Sequence, residues 1–86
     1  MPERSDVYAA IDGERAYQGT LGPTRTDGEE RSVGDYLVML GTYYRRATEG
    51  WTNSAGTEIA LDNMRKIAAI AVRCMEEHGA PRRRGF

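Results

Sequence analysis

The segment EIALDNMRKIAAIAVRCMEEH, Glu58 to His78, decides the fold. Its apolar residues recur at helical spacing, which predicts one helix of about six turns. Projected at 100° per residue, Ile59, Leu61, Met64, Ile67, Ala68, Ile70, Ala71, Val72, Cys74 and Met75 fill an arc of roughly 220°. Glu58, Asp62, Arg65, Lys66, Arg73 and Glu76 occupy the remaining stripe, which reads as a solvated face. An ordinary surface helix carries a far narrower apolar face. The arc therefore asks for cover on two sides, and a second copy of the chain is the expected source of part of it.

Working outward, Gly79 and Pro81 end this helix. Residues 80–86 read as a basic, frayed tail containing Arg82, Arg83 and Arg84. Upstream, Ser32 and Asp35 make a capping-box start for a second helix. Val33, Tyr36, Leu37, Leu40, Tyr43, Tyr44 and Ala47 form its apolar stripe, with Gly50 as the expected stop and Trp51 packed at its end. The short connection that follows predicts an antiparallel pair of helices. A first helix is expected from about Asp6 to Gln18, capped by Ser5. Val7, Ala10, Ile11 and Tyr17 line its inner face, and Gly13 marks a bend or a close approach. Residues 1–4 read as loose and residues 19–31 as a loop. Within that loop Gly22 to Thr26 could hold a phosphate, but it lacks P-loop spacing. The expected fold is all-α: one domain over 1–86, a three-helix unit completed as a helical bundle by oligomerisation.

Bulk composition narrows the function. Eighty-six residues with a formal net charge of −1 offer no global basic field, so nucleic acid is an unlikely partner. The single cysteine, Cys74, suits a reducing compartment, and cytoplasmic location is expected. No apolar run approaches ~20 residues, and no membrane partner is expected. One Cys and one His cannot build a usual zinc site, and no cofactor is expected.

The informative residues are polar groups on apolar faces and clustered aromatics. Glu14 and Gln18 fall one turn apart inside the face of the first helix, and Asn63 falls inside that of the third. A buried Asn fixes helix register or binds a ligand, and a buried Glu needs a partner or a wet cavity. Arg15, Arg46 and Lys66 can supply charge. Tyr36, Tyr43, Tyr44 and Trp51 on or near the second helix, with Tyr8 and Tyr17 on the first, offer stacking surfaces beside Arg and amide groups, which suits a base and a phosphate. The same tyrosines can equally fill the rim of a thin core. The candidate ligand-binding set is Glu14, Arg15, Tyr17, Gln18, Tyr43, Tyr44, Arg46, Trp51 and Asn63.

The order of motifs resembles small phage proteins that are similar to MazG-like all-α nucleoside triphosphate pyrophosphohydrolases. The resemblance rests on Glu14-Arg15-x-Tyr17-Gln18, on Ser32-Val33-Gly34-Asp35, and on the Ala- and Ile-rich helix ending in Met75-Glu76-Glu77-His78-Gly79. It covers Tyr8 to Pro81. It implies helical dimers or tetramers and, in the enzymes, magnesium held by Glu-x-x-Glu and Glu-x-x-Asp pairs. The first pair falls here near Tyr43 and Arg46, which do not bind magnesium, with Glu49 as a lone carboxylate. Glu58 and Asp62 stand four apart instead of three. The resemblance thus implies a nucleotide-type pocket without its catalytic metal: a non-catalytic nucleotide-binding homo-oligomer. Sequestering a cyclic-nucleotide immune signal, as phage anti-defence in a host cytoplasm, is one such role. The alternatives are an assembly module without a small-molecule ligand and a magnesium-dependent pyrophosphohydrolase with rearranged ligands.

Overall fold

The computed structural model describes residues 1–20, 31–53 and 56–84. They form three α-helices: α1 (Arg4–Thr20), α2 (Val33–Thr52) and α3 (Gly56–His78). No strand occurs among the described residues. The all-α, three-helix expectation is met. The Gly22–Thr26 stretch lies outside the described residues.

Local chemistry sets the helix ends. The Ser32 hydroxyl accepts from the Asp35 amide at 3.1 Å, and the Asp35 carboxylate accepts from the Ser32 amide at 2.9 Å. This is the complete capping box expected from the sequence. The start of α1 differs from expectation. Glu3, not Ser5, is the cap: its carbonyl accepts from the Asp6 and Val7 amides, and its amide donates to Asp6 Oδ2 at 3.0 Å. Asp6 makes that reciprocal bond three residues on, so it selects the start. At the other end α1 runs through Gly19 to Thr20, two residues into the expected loop. Gly79 adopts φ 115° and donates to the Met75 carbonyl at 2.8 Å, a left-handed helix stop.

Gly50 does not end α2. The helix passes through it to Thr52. A Cβ at this position would lie 2.5 Å from Ile59 Cγ2, so the glycine permits the close approach of α2 to α3. Gly13 marks no close contact: α1 continues through it, and nothing lies within 4 Å of its absent Cβ.

α3 is the middle element. α1 and α2 each pack on it, and they do not pack on each other. α2 runs antiparallel to α3, with Gly50 beside Ile59, Tyr43 beside Lys66 and Tyr36 beside His78. α1 runs parallel to α3, with Glu14 on Arg65 and Arg15 on Glu76. The core is thin. Among the described residues the buried apolar side chains are Tyr36, Ala47, Ala69 and Ile70, joined by Asn63. α1 buries no residue fully.

The side of α3 between α1 and α2 is open. A depression of about 590 Å³ runs between Val7, Ala10 and Ile11 of α1 and Leu61, Met64 and Ala68 of α3. A second, of about 510 Å³, runs between Tyr44, Ala47 and Trp51 of α2 and Ala60, Leu61, Met64 and Ile67 of α3. Leu61 and Met64 line both, so the two join into one trough, apolar along its floor and edged on the α1 side by Glu58, Asp62 and Arg65. Of the stripe expected on α2, Tyr36 and Ala47 are buried, while Val33, Leu37 and Tyr44 stay exposed.

Candidate functional site

The face of α3 that carries charge begins at the trough itself, whose α1 half Glu58, Asp62 and Arg65 also line. It is not the bare solvated face that its composition suggests. Arg65 Nε donates to Glu14 Oε1 of α1 at 2.9 Å, and its other arm pairs with Asp62. Asp62 also meets Lys66 Nζ at 3.3 Å. Lys66 in turn lies 6.0 Å from the Tyr43 ring centroid of α2, and the Arg46 guanidinium lies 5.0 Å from the same ring. One path of contacts therefore crosses all three helices, from Glu14 through Arg65, Asp62, Lys66 and Tyr43 to Arg46.

Helical spacing builds this path. Asp62, Arg65 and Lys66 stand at i, i+3 and i+4, so they share one face of α3. Tyr43 and Arg46 are three apart on α2 and likewise neighbours. The Arg65 and Lys66 hydrogen bonds hold the Asp62 carboxyl below its ordinary range. Hydrogen bonds to Glu14, then to Asp62, push the Arg65 guanidinium up. The path holds three cations and two carboxylates, so it keeps one unit of positive charge beside an aromatic face.

The sequence-derived candidates distribute as follows. Glu14 points at α3, its side chain 11% exposed, and its carboxylate is taken by Arg65. Arg15 donates to Glu76 Oε2 at 2.6 Å. Gln18 is half-buried, and its Oε1 is enclosed without a hydrogen-bond partner. Tyr17, Tyr44 and Trp51 are exposed. Asn63 is buried, and its amide nitrogen donates to the Ile59 carbonyl one turn back at 2.9 Å. Tyr43 and Arg46 come together with Lys66, whereas Glu14 and Arg15 are engaged along α3. Tyr44 and Trp51 stand on the apolar trough.

Asp62, Arg65 and Lys66 are missing from the candidate set. On the sequence they look like a solvent stripe, because nothing in a single helix tells which of its faces a parallel neighbour will take. The available signal is on α1: Glu14 inside an apolar face requires a cation opposite, and Arg65 supplies it.

A second polar feature closes the far end of the α2–α3 pair. Tyr36 is 1% exposed, and its hydroxyl makes no well-formed hydrogen bond. Burial first, then the nearby Glu77 carboxylate, push its pKa up to about 12. Its ring meets His78 edge-on at 6.2 Å, and His78 Nε2 lies 2.6 Å from the Arg31 carbonyl oxygen.

Among the described residues no group of three or more His, Cys, Asp or Glu is placed to hold a metal ion. Among them too, no helix is long and apolar enough to cross a membrane. The chain matches no family model, no curated protein and no solved structure.

Proposed function

We propose that this chain is a non-catalytic nucleotide-binding protein that works as a homo-oligomer. The observation that carries the binding half is the Tyr43 ring flanked by Arg46 and Lys66 at 5.0 and 6.0 Å. An aromatic face takes a base, worth ~1–3 kcal/mol per stacked base where used. A guanidinium and an ammonium beside it take a phosphate. Lys66 exchanges its Asp62 contact for the ligand phosphate at modest cost, since that pair is half-exposed. Tyr44 and Trp51 stand on the trough instead, Asn63 bonds its own helix, and Glu14 and Arg15 are engaged along α3, so Tyr43, Arg46 and Lys66 carry the site.

The oligomer half rests on layer architecture. Three helices with α3 in the middle make one layer, and a stable core needs two packed layers. The trough over Leu61 and Met64 is the surface a second copy covers. The resemblance to MazG-like pyrophosphohydrolases and to small phage proteins agrees with such an assembly. It suggests a cytoplasmic protein that holds a nucleotide or a cyclic-nucleotide immune signal without cleaving it. The exposed trough also supports a second reading, an assembly module with no small-molecule ligand.

Thermal shift over nucleotides and cyclic nucleotides separates the readings, because a ligand at ~100 times its Kd adds about 2.7 kcal/mol. A stabilising nucleotide is expected, with Arg46→Ala and Lys66→Ala each weakening it tenfold or more. No shift with any nucleotide, or wild-type affinity in both variants, sinks the binding half. Magnesium-dependent pyrophosphate release abolished by Asp62→Asn would instead establish an enzyme.

A further inference from the structure

We infer that the site selects nucleotides carrying a single phosphate, and that Asp62 is the specificity-determining residue that turns polyphosphate chains away. The inference rests on the nucleotide-binding half of the reading above and is independent of the homo-oligomer half.

The cations are few and share one spot. Arg46 and Lys66 address the same Tyr43 ring, at 5.0 and 6.0 Å from its centroid. A phosphate at the edge of that ring meets both. No further cation extends the pair along either helix. Four positions before Lys66 stands Asp62, its Oδ2 3.3 Å from Lys66 Nζ. Three positions after Arg46 stands Glu49, which is exposed. Because α2 and α3 are antiparallel, both carboxylates lie towards the α2–α3 connection. In the other direction, the positions three and four after Lys66 are Ala69 and Ile70, both buried. The next cation along α3 is Arg73, two turns on, and it lies 3.6 Å from Glu77.

Arg65 does not change this count. Its Nε donates to Glu14 and its other arm pairs with Asp62, so two carboxylates share it. Asp62 is thus the internal occupant of the phosphate seat on Lys66 in the free protein. One phosphate displaces it from Lys66, and Arg65 keeps it ionised: the Arg65 hydrogen bond is the leading cause that holds its carboxyl below the ordinary range. The displaced carboxylate stays about 6 Å from Lys66 along α3, at 1.5 Å per residue. That is inside the ~8 Å screening length of physiological salt. Arg46 and Lys66 offset the charge of a single phosphate. Each further phosphate brings negative charge to a neighbourhood with carboxylates in one direction and apolar side chains in the other, so attraction gives way to repulsion.

The test is calorimetric titration of the full chain in EDTA, so that no divalent cation masks phosphate charge. The probes are the 5′-mono-, 5′-di- and 5′-triphosphates and the 3′,5′-cyclic monophosphates of adenosine, guanosine, cytidine and uridine. For the base that binds best, a one-phosphate form, monoester or cyclic diester, is expected to bind about tenfold or more tightly than the triphosphate, with the diphosphate between them. Asp62→Asn keeps the shape and removes the charge, and is expected to cut that ratio about threefold or more, tightening the triphosphate most. Asp62→Glu returns a carboxylate and is expected to return the wild-type ratio, which separates charge from packing. Asp12→Asn removes the same charge from the exposed side of α1 and is expected to leave the ratio at its wild-type value. A triphosphate that binds wild type as tightly as the one-phosphate forms overturns the selectivity alone. So does a ratio that Asp62→Asn leaves unchanged, or one that Asp12→Asn lowers equally. If none of the probes binds, the inference falls together with the nucleotide-binding reading.

Discussion

Tyr36 is the residue where burial and titration meet most directly. Its hydroxyl is enclosed without a good hydrogen bond, so removing it costs little. Tyr36→Phe is expected to change unfolding free energy by less than about 1 kcal/mol, in either direction. The same hydroxyl sets an alkaline limit. Its folded pKa stands at about 12 against an ordinary 10.0, so the neutral form is favoured in the fold. That contribution is complete below pH 10.0 and is lost as pH rises towards about 12. Denaturant titrations above pH 10.0 should show wild type losing stability faster than Tyr36→Phe; parallel curves would exclude Tyr36 as the source. Two glycines give opposite expectations for one substitution. Gly50→Ala drives a Cβ into the branched Ile59 side chain and is expected to destabilise by about 1–3 kcal/mol. Gly13→Ala meets open space and is expected to stabilise by about 0.5–1 kcal/mol. Thermal melts of the two variants check both signs.

The elements differ in what holds them. α2 meets α3 through the buried core, including Ile70, whose burial is worth about 1.5–3 kcal/mol. α1 buries no residue fully and is tied to α3 by the Glu14–Arg65 and Arg15–Glu76 ion pairs. Arg65→Ala leaves the Glu14 carboxylate enclosed and unpaired, a loss of about 1–3 kcal/mol. Amide exchange should then accelerate over residues 4–20 far more than over 33–52; uniform acceleration would show that α1 and the hairpin open together. Acid acts on the same lattice. Asp62 titrates below its ordinary 3.8 in the fold, so its contribution is present above that value and is lost as pH falls through the lower, folded pKa. Stability should therefore be level above about pH 5 and decline below about pH 4, and Asp62→Asn should flatten the decline. The effect is modest, because the carboxylate is half-exposed.

At the scale of the whole molecule, the described residues form a single layer of three helices with α3 in the middle. The trough leaves Leu61 60% and Met64 58% exposed, high values for the centre of the longest helix. Sedimentation at micromolar concentration is expected to find no folded monomer. Leu61→Asp should shift the chain towards monomers that lose helix content. A wild-type monomer with full helix content would show that one layer of this composition is sufficient. Ligand binding belongs to this scale as well. Arg46→Ala should weaken a bound nucleotide while leaving the mass and the melting temperature of the free protein unchanged, since an exposed arginine adds little to folding.

The three helices were determined by sequence alone, because local rules operate within a few residues. Ser32 and Asp35 cap α2 whatever surrounds them, Gly79 stops α3, and the apolar period of residues 58–78 requires a long helix. Glu14 inside an apolar face announced a cation opposite, but of the expected Arg15, Arg46 and Lys66 none takes it; Arg65 does. The tertiary structure decided which helix faces which. Gly50 read as a stop and is a contact point, because a helix-ending glycine and a crowded one look alike until Ile59 is seen beside it. Glu58 to Glu76 read as a solvated stripe, yet its Arg65 and Glu76 receive α1, since a charge pattern on one helix carries no record of a partner far away in sequence. Tyr43 and Arg46 are neighbours on α2 by spacing alone, but Lys66, more than twenty positions away, came within 6.0 Å of the Tyr43 ring only when α2 folded antiparallel onto α3.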